Sequence, residues 1–328
     1  MNDFSIGKIF NMREKEIYYV SNHISKHYKK SFIPKKNGEI RTLYIPDEKL
    51  KYMQRVILNE FLSEYKISKC ATAYHKGSNL LSNAQPHLNK KFLLKLDVQD
   101  FFGSITFGRV YKMFSAHFPD RYAKLFAELC CYKDKLVQGA PTSPAISNII
   151  MLNFDNKIEE YCLNNNISYT RYCDDITLSS NSSLNAAYCK IKKELQKNGF
   201  ELNSRKTHFV KNTHQQNVTG IVVNQKIQVS ADYRRTLRQE LYFFHKFGAS
   251  DVILRNNYID FIDNGNTLDE KYINYLLGKI NYVLQINPKD AAFLKEKERL
   301  CDYRNTIVNG KECEHKSRQM IMNYRTKL

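Results

Sequence analysis

Three carboxylates in this chain have the types and surroundings that phosphoryl or nucleotidyl transfer needs. Asp174 and Asp175 are adjacent in Arg171-Tyr172-Cys173-Asp174-Asp175-Ile176-Thr177-Leu178, and Asp97 lies in Phe92-Leu93-Leu94-Lys95-Leu96-Asp97-Val98. Both stretches are framed by apolar, strand-like residues. Acids at the tips of buried strands are costly unless a cation neutralises them. Three carboxylates brought together repel one another, and paired Mg²⁺ ions would relieve that repulsion, with Mn²⁺ as a substitute. Two such ions, roughly 3.5–4 Å apart, can activate a 3′-hydroxyl and stabilise an in-line transition state on a triphosphate. Asp97 and Asp174 are the candidate bridging ligands, with Asp175 assisting and Val98 in the same ligand set. A lone Asp-Asp pair is more often a solvated surface turn. The apolar flanks and the motifs that follow favour a site.

Several other residues could serve the same chemistry. After Asp97 the chain reads Val98-Gln99-Asp100-Phe101-Phe102, where backbone amides near Asp100 and Phe101 could meet a triphosphate as the strand turns. Phe102 could close the floor under the sugar and exclude a 2′-hydroxyl; taken alone it is core packing. Gln138 opens a Gly/Pro-punctuated loop, Gln138-Gly139-Ala140-Pro141-Thr142-Ser143-Pro144, whose small residues allow close backbone approach. Lys36 and Arg41 sit on a basic N-terminal hairpin that could fold over phosphates, Arg with bidentate contacts. Lys206 could protonate a leaving pyrophosphate.

The elements that must position these residues can be read in outline. Residues 1–30 read as helical. Residues 31–46 read as a hairpin about Asn37-Gly38, a strong two-residue turn signal. A helix is expected from Asp47 to about Tyr65, with Leu50, Met53, Ile57, Leu58, Phe61 and Leu62 on one face. Phe92 to Val98 is a buried strand, and Pro144 to about Cys162 a helix with proline in its first turn. Ser168–Tyr172 and Ile176–Ser179 form a tight hairpin joined at Cys173-Asp174-Asp175, with both aspartates at its tip. Leu184–Asn198 is a helix closed by Gly199. Val218–Val223 is a strand, and helical patterns follow from Ala231, as in Tyr233–Phe247 and Leu268–Val283.

Composition narrows the partner. The 328 residues hold 51 Lys and Arg against 33 Asp and Glu, a net charge of +18 that favours a polyanion. Residues 1–96 carry 18 basic and 8 acidic side chains, so the excess is greatest upstream of the proposed acids. Eight cysteines without a CxxC pair read as reduced, buried thiols of a cytoplasmic protein. Met1 to Phe10 lacks the apolar run of a signal peptide, and no apolar stretch is long enough for a membrane span.

The order of these motifs resembles the palm of reverse transcriptases: Asp97 to Phe102, Gln138 to Pro141, Tyr172 to Asp175, then Leu202 to Thr207. It is closer still to bacterial retron reverse transcriptases. Asn83-Ala84-Gln85-Pro86-His87 resembles their Asn-Ala-x-x-His signature, and Val218-Thr219-Gly220 resembles their Val-Thr-Gly signature. The usual Tyr-Ala-Asp-Asp is here Tyr-Cys-Asp-Asp, with a small apolar residue still in second place. The resemblance spans about residues 31–225.

It implies an α+β right-hand polymerase fold, with N-terminal helices and fingers over 1–96, a palm over 97–229 and a mostly helical thumb over 230–328. It also implies reverse transcription of a cognate structured non-coding RNA from dNTPs. Priming would be from a guanosine 2′-hydroxyl, giving branched, RNA-linked multicopy single-stranded DNA. Such systems resemble anti-phage defence or toxin–antitoxin modules with an effector protein from the same operon. Asn83, His87, Val218, Thr219 and Gly220, together with Arg234, Arg235 and Arg238 on a thumb helix, are the candidate RNA-binding or family-motif residues. The rival readings are a group II intron-type or diversity-generating reverse transcriptase, and an RNA-binding scaffold or antitoxin that does not polymerise.

Overall fold

The computed structural model describes residues 5–34, 38–255 and 268–309. The chain separates into two compact units, residues 1–219 and 220–328.

The first unit begins with two short helices, α1 (Ile6–Phe10) and α2 (Glu14–Asn22), and a hairpin of β1 (Tyr28–Pro34) and β2 (Ile40–Pro46). The hairpin starts three residues before its expected position. Helix α3 (Glu48–Glu60) follows, one turn shorter than its apolar face suggests. Asp47 caps it: its Oδ1 accepts from the Leu50 amide at 2.9 Å while Oδ2 meets His27 Nδ1 at 2.7 Å. Leu50, Met53 and Ile57 are fully buried on the expected face. Next come α4 (Leu80–Ala84), β3 (Phe92–Asp97), α5 (Phe107–Ser115), α6 (Asp120–Cys130) and α7 (Ser143–Asn164). Then β4 (Ser168–Tyr172) and β5 (Asp175–Ser180) form a hairpin, followed by α8 (Asn185–Lys197), β6 (His208–Lys211) and β7 (Asn217–Val218).

The centre of this unit is an antiparallel sheet in the order β4-β5-β3-β6. Strand alternation sorts its residues by face. Leu94, Leu96, Ile176, Leu178, Tyr169 and Arg171 lie on one face, and Lys95, Asp97, Asp175, Thr177, Ser179 and Thr170 on the other. The first face joins a core that includes Met151, Phe154 and Ile158 of α7 and Ile191 and Leu195 of α8. An aromatic cluster of Phe61, Phe114, Phe118 and Phe126 extends that core, Phe118 meeting Phe126 edge-on with centroids 5.2 Å apart.

Two expectations are corrected. Asp175 is not in the turn: it is the first residue of β5, paired with Tyr172, which leaves a two-residue turn of Cys173 and Asp174. Val218–Val223 is not one strand either. Thr219 and Gly220 have φ of 46° and 86°, so the chain turns tightly between β7 and β8 (Ile221–Val222). Positive φ at two successive central residues is the requirement of a I′ turn, which a run of apolar residues conceals.

In the second unit β8 pairs with β9 (Gln228–Val229), and three helices follow: α9 (Ala231–Arg255), α10 (Leu268–Ile286) and α11 (Ala291–Asn309). Leu237, Leu241, Phe244, Tyr272, Leu276, Ile280 and Phe293 form its interior. Helix α9 is interrupted at Gly248, whose φ of 78° is not helical. Among the described residues no helix is long and apolar enough to cross a membrane, and the described cysteines are free thiols, five of them buried.

Candidate active site

The three acids meet at one end of the central sheet. Asp97 closes β3 and Asp175 opens β5, directly opposite each other in the antiparallel register, which puts their side chains on the same face. The Val98 amide donates to the Asp174 carbonyl at 3.0 Å, and the Asn203 amide to the Asp97 carbonyl at 2.8 Å. The main chain around both acidic segments is therefore held by hydrogen bonds that do not involve the carboxylates. Asp97 is buried, with 8% of its surface exposed. Cys173 has a φ of 61°, at the first of the two turn positions, where hairpins of the II′ kind favour glycine. For a non-glycine residue that conformation costs about 1–2 kcal/mol.

The electrostatics follow from this crowding. Lys206, in the short helical turn Ser204–Lys206, places Nζ 2.6 Å from Asp97 Oδ1. The hydrogen bond to Asp97 raises the Lys206 pKa, so the ammonium stays charged. Asp175 presents its edge to solvent, yet its carboxyl is pushed up to about 6. The surrounding protein desolvates it, and the charges of Asp174 and Asp97 add to the shift. Among the described residues no three His, Cys, Asp or Glu side chains are gathered closely enough to hold a metal ion as they stand.

The other candidates fall in several places. Asp100, at φ 41°, folds its carboxylate over Gly103, where an added Cβ would lie 2.1 Å from Asp100 Oδ2. Phe101 is buried and stacks on Phe200 at 5.7 Å, while Phe102 is half-buried against the core. Gln138 is tied to the β1–β2 hairpin: its carbonyl accepts from the Tyr44 amide at 2.8 Å. Gly139 follows at φ 113°, and a Cβ there would stand 2.5 Å from the Tyr44 carbonyl oxygen. Gly139→Ala should therefore lower stability by about 1–3 kcal/mol through strain and backbone displacement, read as a shifted denaturation midpoint. An unchanged midpoint would mean that the loop moves freely from β2. Arg41 lies on β2, opposite Ile33, and Lys36 lies outside the described residues.

Asn83 and His87 are interior, 1% and 0% exposed. His87 bridges the β4–β5 hairpin, with Nδ1 2.8 Å from Ser179 Oγ on β5 and Nε2 2.8 Å from Thr170 Oγ1 on β4. Burial pushes its pKa down to about 3, so the ring is neutral. Asn83 accepts from Thr72 Oγ1 at 2.7 Å and donates to Thr219 Oγ1 at 3.2 Å. The two signature motifs are thus bonded to each other, and the Asn83 and His87 side chains face protein. Val218 is fully buried. In the second unit Arg234 pairs with Asp290 and lies 5.3 Å from the Phe293 ring centre. Arg235, 3.0 Å from Asp232, and Arg238 are exposed.

Comparison with known proteins agrees with this geometry. The family model of reverse transcriptase (RNA-dependent DNA polymerase) matches residues 33–223. The retron Ec83 reverse transcriptase of Escherichia coli is 31% identical over 83% of this chain and 86% of its own length. The retron Ec86 reverse transcriptase, also from Escherichia coli, is 29% identical over 79% of this chain and 83% of its own. The chain belongs to the retron reverse transcriptases. It is an RNA-directed DNA polymerase of the right-hand α+β fold, and its template is RNA.

Reverse transcriptase domains use divalent metal ions, and the donors of this retron enzyme suit one. They are hard carboxylate oxygens, and one of them, Asp97 Oδ1, already holds the Lys206 ammonium.

Sequence reasoning missed a buried polar layer beneath the turn. Arg171 and Asp155 are both fully buried and pair at 2.6 Å, with Asn148 and Tyr169 bonded to them. A signal existed. Asn148, Met151, Asp155, Ile158 and Cys162 follow a helical 3-4-3-4 spacing and are all buried, so two polar residues occupy an otherwise apolar stripe.

Proposed function

We propose that this reverse transcriptase copies part of a cognate structured non-coding RNA from dNTPs. Priming is from the 2′-hydroxyl of a guanosine, and the product is single-stranded DNA branched from RNA. The observation that carries the reading is the facing pair Asp97 and Asp175, with Asp174 in the adjoining turn, at one end of the palm sheet. In this reading Asp97, Asp174 and Asp175, with Val98, hold two Mg²⁺ ions, for which Mn²⁺ can substitute. When bound, these ions supply a lowered 3′-hydroxyl pKa and charge stabilisation on the phosphates. Lys206 keeps a proton next to the acids. Lys36, Arg41, Asp100, Phe101, Phe102 and Gln138 form the nucleotide-binding surround. The fingers are residues 1–96, the palm 97–229 and the thumb 230–328. Arg235 and Arg238 are the exposed thumb arginines suited to RNA phosphates. The system is a cytoplasmic anti-phage defence or toxin–antitoxin module with an effector protein.

The test is to express the protein with its native flanking DNA and isolate the nucleic acid that co-purifies. Digestion with RNase, DNase and a debranching enzyme, followed by sequencing, should release a short DNA from RNA only after debranching. RNA alone, with no DNA even after dNTPs and Mg²⁺ are supplied, would favour a scaffold that does not polymerise.

A pH dependence follows from Asp175. Its carboxyl titrates at about 6 without metal, so below that pH it is protonated and a poorer ligand. Divalent-ion affinity should therefore rise as pH increases through 6, with proton release on binding in the lower part of that range. Calorimetry in two buffers of different ionisation enthalpy measures the released proton. Asp175→Asn should remove the step at pH 6; a step that persists in this variant belongs to another group.

A further inference from the structure

We infer that Arg171, Asp155 and Asn148 are positioning residues that hold the turn presenting Asp174 and Asp175 by fixing the Cys173 carbonyl from the buried side of the sheet. The inference rests on the assignment of those aspartates to the reaction.

Arg171 has no exposed surface, and its bonds point in two directions. Nε and Nη2 donate to the two oxygens of Asp155 at 2.9 and 2.6 Å. Nη1 donates to Asn148 Oδ1 at 3.1 Å and to the Cys173 carbonyl at 3.0 Å. The planar guanidinium thereby connects α7 to the residue that carries the unfavourable φ of the turn. Its anchors are themselves fixed. Tyr169 donates to Asp155 Oδ1 at 2.6 Å, and Asn148 Nδ2 to the Ala73 carbonyl at 2.8 Å. The Arg171 main chain is gripped on its outer edge, its amide donating to the Cys70 carbonyl and its carbonyl accepting from the Thr72 amide, each at 2.8 Å.

For cohesion alone this arrangement is a poor choice, because a well-packed apolar pair of similar volume is often as stable as a buried ion pair. What such a pair would lack is a donor aimed at Cys173. The neighbouring carboxylates gain from a fixed turn, since an error of about 1 Å at a reacting centre can cost about 100-fold in rate.

The test uses the full chain with Arg171→Met and Asp155→Leu combined, which removes both charges together, and separately Arg171→Lys, which keeps a charge for Asp155 but cannot donate along all four bonds. Iodoacetamide labelling of the folded protein is followed at each cysteine by mass spectrometry. Cys173 is 5% exposed, Cys130 and Cys131 are 0% and 4% exposed, and Cys189 is on the surface, so the last three are internal references. In both variants Cys173 should label at least about 10-fold faster, with Cys130 and Cys131 as protected as before. The kcat for dNTP addition should fall by about 100-fold, and KM should change by less than about 3-fold.

Continued protection of Cys173 overturns the inference, whatever happens to kcat. Simultaneous exposure of Cys130 and Cys131, or failure of Arg171→Lys to fold, assigns the network to general stability and overturns it too. Faster Cys173 labelling with unchanged kcat shows that turn order is irrelevant to the reaction, which also overturns it. If the parent protein adds no nucleotide, the polymerase reading fails, while the labelling still decides whether the network holds the turn.

Discussion

A variant carrying Asp174→Asn and Asp175→Asn is expected to bind RNA as the parent does and to add nucleotides at less than about one thousandth of the parent rate. Three decades correspond to about 4 kcal/mol of lost transition-state stabilisation. The substitutions keep side-chain shape and remove the anionic oxygens that would face a metal. The local fold should survive, because Val98 and Asn203 bond to main-chain carbonyls and not to the carboxylates. Stability near neutral pH should hold or rise slightly, since Asp175 is crowded by Asp174 and Asp97 and its charge is unfavourable in the folded state. Single-turnover extension and filter binding on one RNA separate the two effects. Extension within about tenfold of the parent would remove these aspartates from the reaction.

Asp155→Ala alone should lower stability by about 3–5 kcal/mol, the usual cost of stranding one member of a buried ion pair. In a unit of this size each kcal/mol shifts the melting temperature by about 2–4 °C, so the fall should be about 6–20 °C. Arg171 is held charged by Asp155, and Tyr169 would lose the acceptor of its hydroxyl at the same time. A calorimetric melt measures the loss. A fall of less than about 2 °C would mean that water enters and solvates the guanidinium, and that this layer is not sealed.

Much of the fold is legible in the sequence because its signals are local. The apolar face of α3, the first-turn proline of α7 and Gly199 at φ 72° after α8 stand where expected, whereas the hairpin closes its pairing at Pro34 and Ile40, wider than the two-residue turn read at Asn37-Gly38, of which Asn37 lies outside the described residues. The misreadings arise where backbone conformation departs from residue type. Cys173 and Thr219 both adopt positive φ, which nothing in their side chains announces, so the exact turn at Asp174 and the break after Val218 were hidden. The acids were legible through their apolar frame. Arg171 and Asp155 were not, because their partnership spans 16 residues and depends on which helix face meets which strand. The Arg234 pairing is hidden for a similar reason: its partner Asp290 lies 56 residues away, and no local pattern announces it.

The register of β3 against β5 ties catalysis to assembly. Leu96 faces Ile176 and Leu94 faces Leu178 on the side of the apolar core, and the same alignment sets Asp97 opposite Asp175 on the other. A slip of one residue would turn Leu94 and Leu96 away from the core and move Asp97 to the face packed on α7. A misaligned sheet would therefore set leucines among the polar side chains of Thr170, Thr177, Ser179 and His87, and a carboxylate against the apolar core. Packing of the core and alignment of the acidic pair are thus settled by one and the same pairing of strands.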